Sequence, residues 1–330
     1  MIPPSRKRPQ IRYSIKRKLL KMRRLFIRSI IILLAFLVLL EVVARWAIGL
    51  GTPPLSIVHA NIDYMFAPNQ DVYRFGNRQL FNEYGMRSPS LQTLEGRELV
   101  LVFRDSVLNG GNLTDHEDLA TTRATDLHVF YGNVSAGSWG PGNHRAWMDT
   151  FGLFDADAVL FLYSSHDLND QPEFTPLNPS THPISAPVSA VGELITRYLP
   201  RYLPAPLSAW FTTAPSTEQR VAPLVRPTGM ADLETMFAHL SISKTPTCVL
   251  LHPSQEELAA GFEPGKEGLI AAASNWSVPI IDLAPRYAAL NDSSKLYRPG
   301  DGIHIGVLGQ ELLTEALKDC KSAALPPISG

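Results

Sequence analysis

Short apolar runs separated by amphipathic stretches dominate the sequence from residue 98 onward. Each run is long enough for one buried strand, and the intervening stretches repeat their apolar positions with the period of a helix. The pattern predicts strands at 98–103, 127–131, 157–163, 247–252 and 278–282, and helices at 115–125, 143–152, 230–241, 254–274 and 306–322. We therefore expect a three-layer α/β/α sandwich with a five-stranded parallel sheet, and a ligand site at the carboxyl ends of the strands.

A longer apolar segment covers residues 25–50 and is interrupted only by Arg28, Glu41 and Arg45. It is long enough to cross roughly 30 Å of hydrocarbon, because Arg28 can reach the interface and Glu41 can pair with Arg45 one helical turn on. The segment predicts a single transmembrane anchor. A cleaved signal peptide, with 42–44 as the cleavage site, is the alternative interpretation.

The charge is distributed unevenly around this segment. The first forty residues contain eleven Lys and Arg and no acid, whereas the remainder contains 19 basic and 31 acidic residues and carries a net charge of −12. A basic flank stays in the cytoplasm, which predicts a single-pass protein of the inner (cytoplasmic) membrane with everything after residue 50 on the outer, periplasmic side. A basic arm that binds nucleic acid would not carry this apolar segment, so we expect no nucleic-acid partner.

The 330 residues, of which 45% are hydrophobic, can bury a full core, which excludes a disordered protein. The predicted boundaries are a basic tail at 1–24, the anchor at 25–50, a lead-in packed on the domain at 51–97, an α/β domain at 98–322 with an insertion at 171–228, and a tail at 323–330. The proline- and aromatic-rich insertion is either an ordered surface excursion or a lid over the site. Cys248 and Cys320 imply no disulfide framework; one bridge is open to them outside the cytoplasm, but we expect two separate buried thiols.

Candidate chemistry lies in two segments almost two hundred residues apart. Ser106 ends the first predicted strand, and Asp301-Gly-Ile-His304 precedes the last predicted helix. A serine at the end of a buried strand can act as a nucleophile if a histidine takes its proton and an acid orients that histidine. These two segments can supply all three groups.

Further candidates follow the other strands. Gly137 comes after the second strand, where a glycine lets a backbone N–H approach a substrate oxygen closely. His166 and Asp167 follow the third strand, and Asn109 lies three residues after Ser106. We treat these four residues as candidates for oxyanion or substrate binding.

These blocks, in this order, resemble those of the SGNH (GDSL-type) hydrolase family over about residues 98–322. The resemblance implies a flavodoxin-like fold, with Ser106 as the nucleophile, His304 as the general base and Asp301 as the acid that orients it. It also implies that the backbone amides of Ser106 and Gly137 are two of three oxyanion donors. The lead-in sequence at 81–87 is similar to segments that precede such domains in membrane-anchored bacterial envelope proteins.

Two positions depart from the family pattern. Arg104 stands where the family has glycine, and it could crowd the nucleophile turn or form a salt bridge with Asp105 or Asp167. His166 replaces an asparagine, although a neutral imidazole N–H can still donate a hydrogen bond.

The sequence thus predicts an SGNH-like serine esterase or O-acyltransferase. The resemblance and the predicted location suggest O-acetyl groups of an envelope or exported polysaccharide as its substrate, and polysaccharide-assembly proteins as partners. No cofactor or metal is expected, because the nine histidines show no paired ligand spacing and His166-Asp167 with Asp170 could form only a partial site. A catalytically silent carbohydrate-binding or assembly module is the alternative.

Overall fold

A computed structural model describes residues 8–204, 207, 229–260, 264–290 and 292–325. Parts of the predicted basic tail, of the insertion and of the C-terminal tail lie outside these residues. The described chain begins with a helix, α1 (Arg8–Trp46), whose part from Arg17 to Trp46 is long and apolar enough to cross a membrane. The most apolar 18-residue stretch of that part is not buried against the rest of the protein, whereas Ala44 near its end is buried.

The lead-in folds as two antiparallel hairpins. Their strands are β1 (Ser56–His59), β2 (Asp63–Phe66), β3 (Gln70–Arg74) and β4 (Asn77–Phe81). The first hairpin is tied to the α/β domain by Trp139, whose Nε1 donates to the Tyr64 carbonyl at 3.0 Å, and by Asn143, whose amide donates to the Ile62 carbonyl at 2.7 Å. The lead-in is therefore packed on the domain.

The main sheet confirms the predicted five-stranded parallel architecture. Its strands are β5 (Glu98–Arg104), β6 (Val129–Ser135), β7 (Ala158–Tyr163), β8 (Thr247–Leu251) and β9 (Ile280–Asp282). They pair in the spatial order β6-β5-β7-β8-β9, and every pair is parallel. All the carboxyl ends consequently lie at one edge, where the chain passes from strands into the candidate site segments.

Helices on both faces of this sheet complete three layers. The helices of the described residues after α1 are α2 (Ser106–Asn109), α3 (Ala120–Ala124), α4 (Pro141–Phe151), α5 (Ala190–Glu193), α6 (Gly229–Ser243), α7 (Gln255–Ala260), α8 (Pro264–Asn275), α9 (Ala284–Ala288) and α10 (Val307–Ala324), of which α5 packs against α1. Alternate residues of β5 face opposite layers: Phe103 packs with Trp147 of α4, whereas Val102 packs in the cluster that contains Leu313 of α10. This two-sided burial explains the continuous apolar run of β5.

Three predicted elements differ from the structure. The predicted helix 115–125 is a 3-10 turn at His116–Asp118 followed by the short α3. The second strand runs to Ser135 and not to 131, because Gly132 and Asn133, which are typical turn residues, are buried in it. Gly132 fits because a Cβ there would lie 2.7 Å from Met86, and the Asn133 amide donates to the Leu108 carbonyl at 3.0 Å. The predicted helix 254–274 is instead two helices, the second of which starts at Pro264, a residue that helix interiors do not accept.

Within the insertion, α5 lies against the end of α1. The Glu41 carboxylate accepts hydrogen bonds from the N–H groups of Ala190 and Val191 at 2.8 and 3.0 Å. Glu193 forms a buried salt bridge with Arg74 of the lead-in and accepts a hydrogen bond from the Gly51 N–H at 2.6 Å. This segment therefore joins α1 to the lead-in.

The expectation of two separate thiols is wrong. Cys248 of β8 and Cys320 of α10 form a disulfide bond, with their Cα atoms 5.7 Å apart. Both residues are buried in the cluster between the sheet and α10, and packing of that helix brings them together across 72 residues of sequence.

Candidate active site

Ser106 lies in the turn that connects the central strand β5 to α2. The Asp105 side chain caps this short helix by accepting the Val107 N–H at 2.9 Å, and Gly110 ends it in the left-handed conformation. A side chain at Gly110 would collide with Thr114 and Leu119, which lie 2.8 Å from the position of its Cβ. Asp105 and Gly110 thus fix the two ends of the short helix that begins at Ser106.

Asp301 and His304 lie in a tight loop directly before α10. Asp301 Oδ1 accepts the N–H groups of Ile303 and His304 at 3.1 and 3.0 Å, and the Arg298 N–H donates to the His304 carbonyl at 2.9 Å. Arg298 also links this loop to the nucleophile turn, because its Nη2 donates to the Gly110 carbonyl at 2.6 Å. Acid and imidazole are therefore fixed relative to Ser106.

The structure brings these three side chains into one chain of hydrogen bonds. His304 Nε2 lies 2.8 Å from Ser106 Oγ, and His304 Nδ1 lies 2.6 Å from Asp301 Oδ2. In the tautomer that this geometry allows, Nδ1–H donates to Asp301 and Nε2 accepts from the serine hydroxyl. Such an arrangement can remove the serine proton as the oxygen attacks a carbonyl.

Asp301 remains ionised in this position. Burial raises the pKa of the Asp301 carboxyl, but the N–H donors of His304 and Ile303, together with the His304 imidazole, outweigh burial and hold that pKa below its ordinary value. A carboxylate is the form needed to keep the Nδ1 proton on the imidazole and to stabilise the imidazolium that forms during proton transfer.

Arg104 does form salt bridges, and it forms them with both of the expected acids. Its fully buried guanidinium pairs with Asp167, lies 2.9 Å from Asp105 Oδ1 through Nε, and donates to Ser164 Oγ at 2.6 Å. Asp167 in turn accepts the Ser164 N–H at 2.7 Å. Arg104 is thus buried, and its side chain connects the nucleophile turn to the turn after β7.

His166 lies in that turn, a short 3-10 helix at Ser165–Asn169. Its Nε2 is 3.3 Å from Asp167 Oδ1, a charge contact without hydrogen-bond geometry. Gly137 is held differently, since its carbonyl accepts a hydrogen bond from the Tyr64 hydroxyl. The oxyanion roles of the Gly137 N–H and of His166 remain predictions.

Asn109 and Asp167 are engaged by the protein itself. The Asn109 amide donates to the Ser135 carbonyl at 3.1 Å and its Oδ1 accepts the Gly111 N–H at 3.3 Å. Asp167 is fully buried against Arg104. We infer that both residues position the turns around Ser106, in place of the substrate contacts expected from their sequence position.

His252 is a residue that the sequence analysis missed. Its Nε2–H donates to the Ile303 carbonyl at 3.0 Å, and its Nδ1 accepts from the Tyr287 hydroxyl at 3.2 Å. Burial lowers the pKa of His252 to about 3, so the ring stays neutral and can act as donor and acceptor at once. The residue supports the loop that carries His304, but in the sequence it is only a histidine at a strand end.

One described cluster has the composition of a metal site. Ligand atoms of Asp105, His166 and Asp167 lie within 4.8 Å of one another. The Arg104 guanidinium already pairs with both of these carboxylates and supplies the positive charge there. The donor set therefore fits an arginine better than a metal ion.

No family model and no curated protein matches the sequence. Among solved structures, the fold is similar to a lipase/acylhydrolase from Enterococcus faecalis, with 12% identity and a TM-score of 0.40 over 71% of this chain and 100% of that one. It is also similar to the acetyl xylan esterase AlAXEase, with 12% identity and a TM-score of 0.39 over 67% of this chain and 98% of that one. A member of the lipolytic G-D-S-L family from Veillonella parvula has 9% identity and a TM-score of 0.38 over 67% of this chain and 97% of that one. At these identities and TM-scores the likeness has no bearing on the chemistry of the site.

Proposed function

We propose that this chain is a serine esterase or acylhydrolase of SGNH type, and the observation that carries the proposal is the hydrogen-bonded chain Ser106–His304–Asp301. Ser106 Oγ attacks the carbonyl carbon of an ester while His304 Nε2 takes the hydroxyl proton. The tetrahedral intermediate then collapses to an acyl-serine, and the imidazolium returns its proton to the departing alcohol. Asp301 holds the imidazole in the required tautomer throughout.

The developing oxyanion requires donors at the same edge of the sheet. We propose the N–H groups of Ser106 and Gly137 and the His166 Nδ1–H for this role. The His166 role requires a proton on Nδ1. Because Nε2 faces the Asp167 carboxylate at 3.3 Å and a carboxylate only accepts, the ring that serves both partners is the imidazolium, which carries a proton on each nitrogen.

The acyl-serine can be attacked by water, which gives hydrolysis, or by a sugar hydroxyl, which gives O-acyl transfer. We propose O-acetyl groups of an envelope or exported polysaccharide as the substrate, with polysaccharide-assembly proteins as partners. The support is the order of the sequence blocks together with the apolar helix, and this substrate class is an analogy at the level of the family.

We further propose that α1 is retained as an anchor in the inner membrane, with the domain in the periplasm. Cleavage after Ala44 would remove Glu41, which accepts two N–H groups of the insertion, and Ala44, which is buried against it. The buried disulfide is consistent with an oxidising compartment. A periplasm-dependent reporter fused after Gly330 should be active on a chain that keeps its N-terminus; activity of a cytoplasm-dependent reporter would reverse the orientation.

The silent-module alternative depended on Arg104 obstructing the nucleophile. Its side chain is fully buried and its polar contacts are with Asp105, Asp167 and Ser164, which favours the enzyme. The full-length protein in detergent should hydrolyse p-nitrophenyl acetate, and Ser106→Ala should abolish that turnover. A folded wild-type protein without turnover on this or an acetylated sugar ester would contradict the proposal.

A further inference from the structure

The helical part of the insertion carries apolar side chains on its outer face. The backbone is helical from Ala190 to Tyr202, through α5 and the two turns that follow it. The side chains that face the protein recur every three or four residues and are those of Ala190, Glu193 and Arg197. Side chains on the opposite side of the helix recur in the same way and are exposed: Ile195, Leu199 and Tyr202. The outer face of a surface helix in a soluble protein is normally polar, so this helix is turned inside out.

The exposure of these apolar side chains is large for so short a segment. Tyr202 is 84% exposed and Val188, just before α5, is fully exposed, whereas Leu194, Ile195 and Leu199 are 42%, 38% and 38% exposed. Single exposed apolar residues are ordinary on a protein surface, but a group of them marks a surface that contacts something apolar.

The start of this segment is fixed to the last part of α1. The Glu41 carboxylate accepts the N–H groups of Ala190 and Val191, at 2.8 and 3.0 Å. Ala190 is also buried in one small apolar cluster with Ala44 and Leu50. The position of α5 along α1 is therefore defined.

That position coincides with the outer boundary of the predicted membrane span. The apolar part of α1 begins after Arg24, and the twenty residues 25–44 follow it. At about 1.5 Å per residue they cover roughly 30 Å, which is the thickness of the hydrocarbon layer. Glu41 and Ala44 then lie at the outer boundary, and Trp46, which is 83% exposed, follows it directly. Trp and Tyr side chains concentrate at this level of a bilayer.

The charge of the segment fits a lipid surface as well. Glu193 is the only acid between residues 188 and 204, and it is buried in a salt bridge with Arg74. Arg201 is exposed, with its guanidinium 5.1 Å from the centre of the Tyr198 ring. The exposed charge is thus positive, and anionic headgroups attract it.

We propose that residues 188–202 form a second membrane contact, which lies on the outer surface of the bilayer beside α1 and places Leu199 and Tyr202 among the lipid headgroups. The inference rests on the proposed anchor, and it is independent of the proposed esterase activity. With α1 and this segment both in contact with lipid, the domain is held in one orientation over the membrane. The Arg-Tyr-Leu-Pro doublet at 197–204 thereby supplies the aromatic and basic groups of the contact.

Spin labelling of the full-length protein in lipid nanodiscs that contain phosphatidylglycerol tests the proposal. Cys248 and Cys320 are the only cysteines of the chain and are bonded to each other, so a single introduced cysteine takes the label. Val188→Cys and Tyr202→Cys report the proposed contact, and Val38→Cys reports the anchor. Ile242→Cys is the matched control, because Ile242 is 83% exposed at the end of α6, a helix that packs against α4 and α8.

The measurement compares collisions of each label with dioxygen, which partitions into lipid, and with a water-soluble nickel chelate. We expect the ratio of the two to be about threefold or more higher at positions 188 and 202 than at position 242, since interfacial side chains lie below the headgroups. Arg201→Glu should lower the ratio at position 188 in these nanodiscs, and should change it less when all the lipid is phosphatidylcholine.

Each of three results would overturn the proposal. A label in lipid at position 38, with labels at 188 and 202 as exposed to water as the control, leaves the anchor in place and rejects the second contact. A label in water at position 38 rejects the anchor and the second contact with it. Labels at 188 and 202 that are shielded from both reagents are covered by protein, which rejects lipid as the partner.

Discussion

Replacement of Arg104 by methionine should destabilise the protein and impair turnover. The guanidinium is fully buried and pairs with Asp105 and Asp167, so Arg104→Met leaves two acidic groups without their counter-charge. Breaking a buried ion pair by removing one partner costs about 3–5 kcal/mol. Turnover should fall about a hundredfold, because Asp105 caps the nucleophile helix and small displacements of reacting groups cost that much.

The assay is urea unfolding of the full-length protein, followed by tryptophan fluorescence, together with p-nitrophenyl acetate turnover. Arg78→Met is the matched control, since Arg78 pairs with Asp71 at 2.8 Å with both side chains a third or more exposed, and such pairs contribute about 0.2–1 kcal/mol. The double variant Arg104→Met with Asp167→Leu should recover part of the lost stability, because it removes a buried acid.

Two results would refute this reasoning. One is an Arg104→Met variant that costs no more than Arg78→Met, which would mean that the buried pairs contribute nothing. The other is a rise in turnover, which would show that Arg104 suppresses the nucleophile. If Arg104→Met does not fold, Arg104→Lys can be used instead. It keeps the positive charge and tests only the contribution of the planar guanidinium with its several N–H donors.

Three further predictions follow from the site and the core. Ser106→Ala should lower turnover nearly as much as the triple replacement of Ser106, His304 and Asp301, and Asp301→Asn should lower it less. Single replacements whose effects on the activation free energy add up to that of the triple replacement would contradict a triad. His166→Ala should lower turnover about a hundred- to a thousandfold and His166→Asn should recover part of the loss, and an unimpaired alanine variant would remove His166 from the oxyanion site. Burial lowers the pKa of His144 to about 3, so the unfolded chain takes up a proton below its ordinary pKa of 6.5 while the folded chain does not. Through this group, the free energy of unfolding should therefore fall by about 1.4 kcal/mol per pH unit from pH 6.5 towards pH 3. His144→Gln should reduce the pH dependence of that free energy by this amount, and an unchanged pH dependence would contradict the prediction.

The sheet and the candidate triad could be predicted because their signals are local. A buried strand shows as an apolar run, and Ser106 follows such a run directly. Asp301 and His304 are three residues apart in one loop, so a single turn brings them together. Because the carboxyl ends of parallel strands meet at one edge of the sheet, the fold then brings this loop close to Ser106.

The remaining features depend on contacts between segments that are distant in sequence. The predicted second strand ends before Gly132 and Asn133, because these residues are typical of turns. The contacts that place them in a strand come from Met86 and Leu108, which belong to other elements. The disulfide between Cys248 and Cys320 requires the packing of α10 on β8.

The junction of the lead-in with the insertion and the supporting role of His252 have the same origin. The lead-in and the insertion meet across 110 residues of sequence, where the Glu173 N–H donates to the Asp63 carboxylate. His252 reaches the Ile303 carbonyl 51 residues further along the chain. Neither contact has a sequence motif that would reveal it.

Covalent labelling by a serine-reactive fluorophosphonate tests the central claim most directly, with the modified peptide located by mass spectrometry in the full-length protein. We predict one label per chain, on Ser106, with loss of labelling in Ser106→Ala and a labelling rate reduced at least tenfold in His304→Ala, because the imidazole removes the proton from the attacking oxygen. A folded wild-type protein that takes up no label, or that is labelled at another serine with Ser106 unmodified, would contradict the claim that Ser106 is an activated nucleophile.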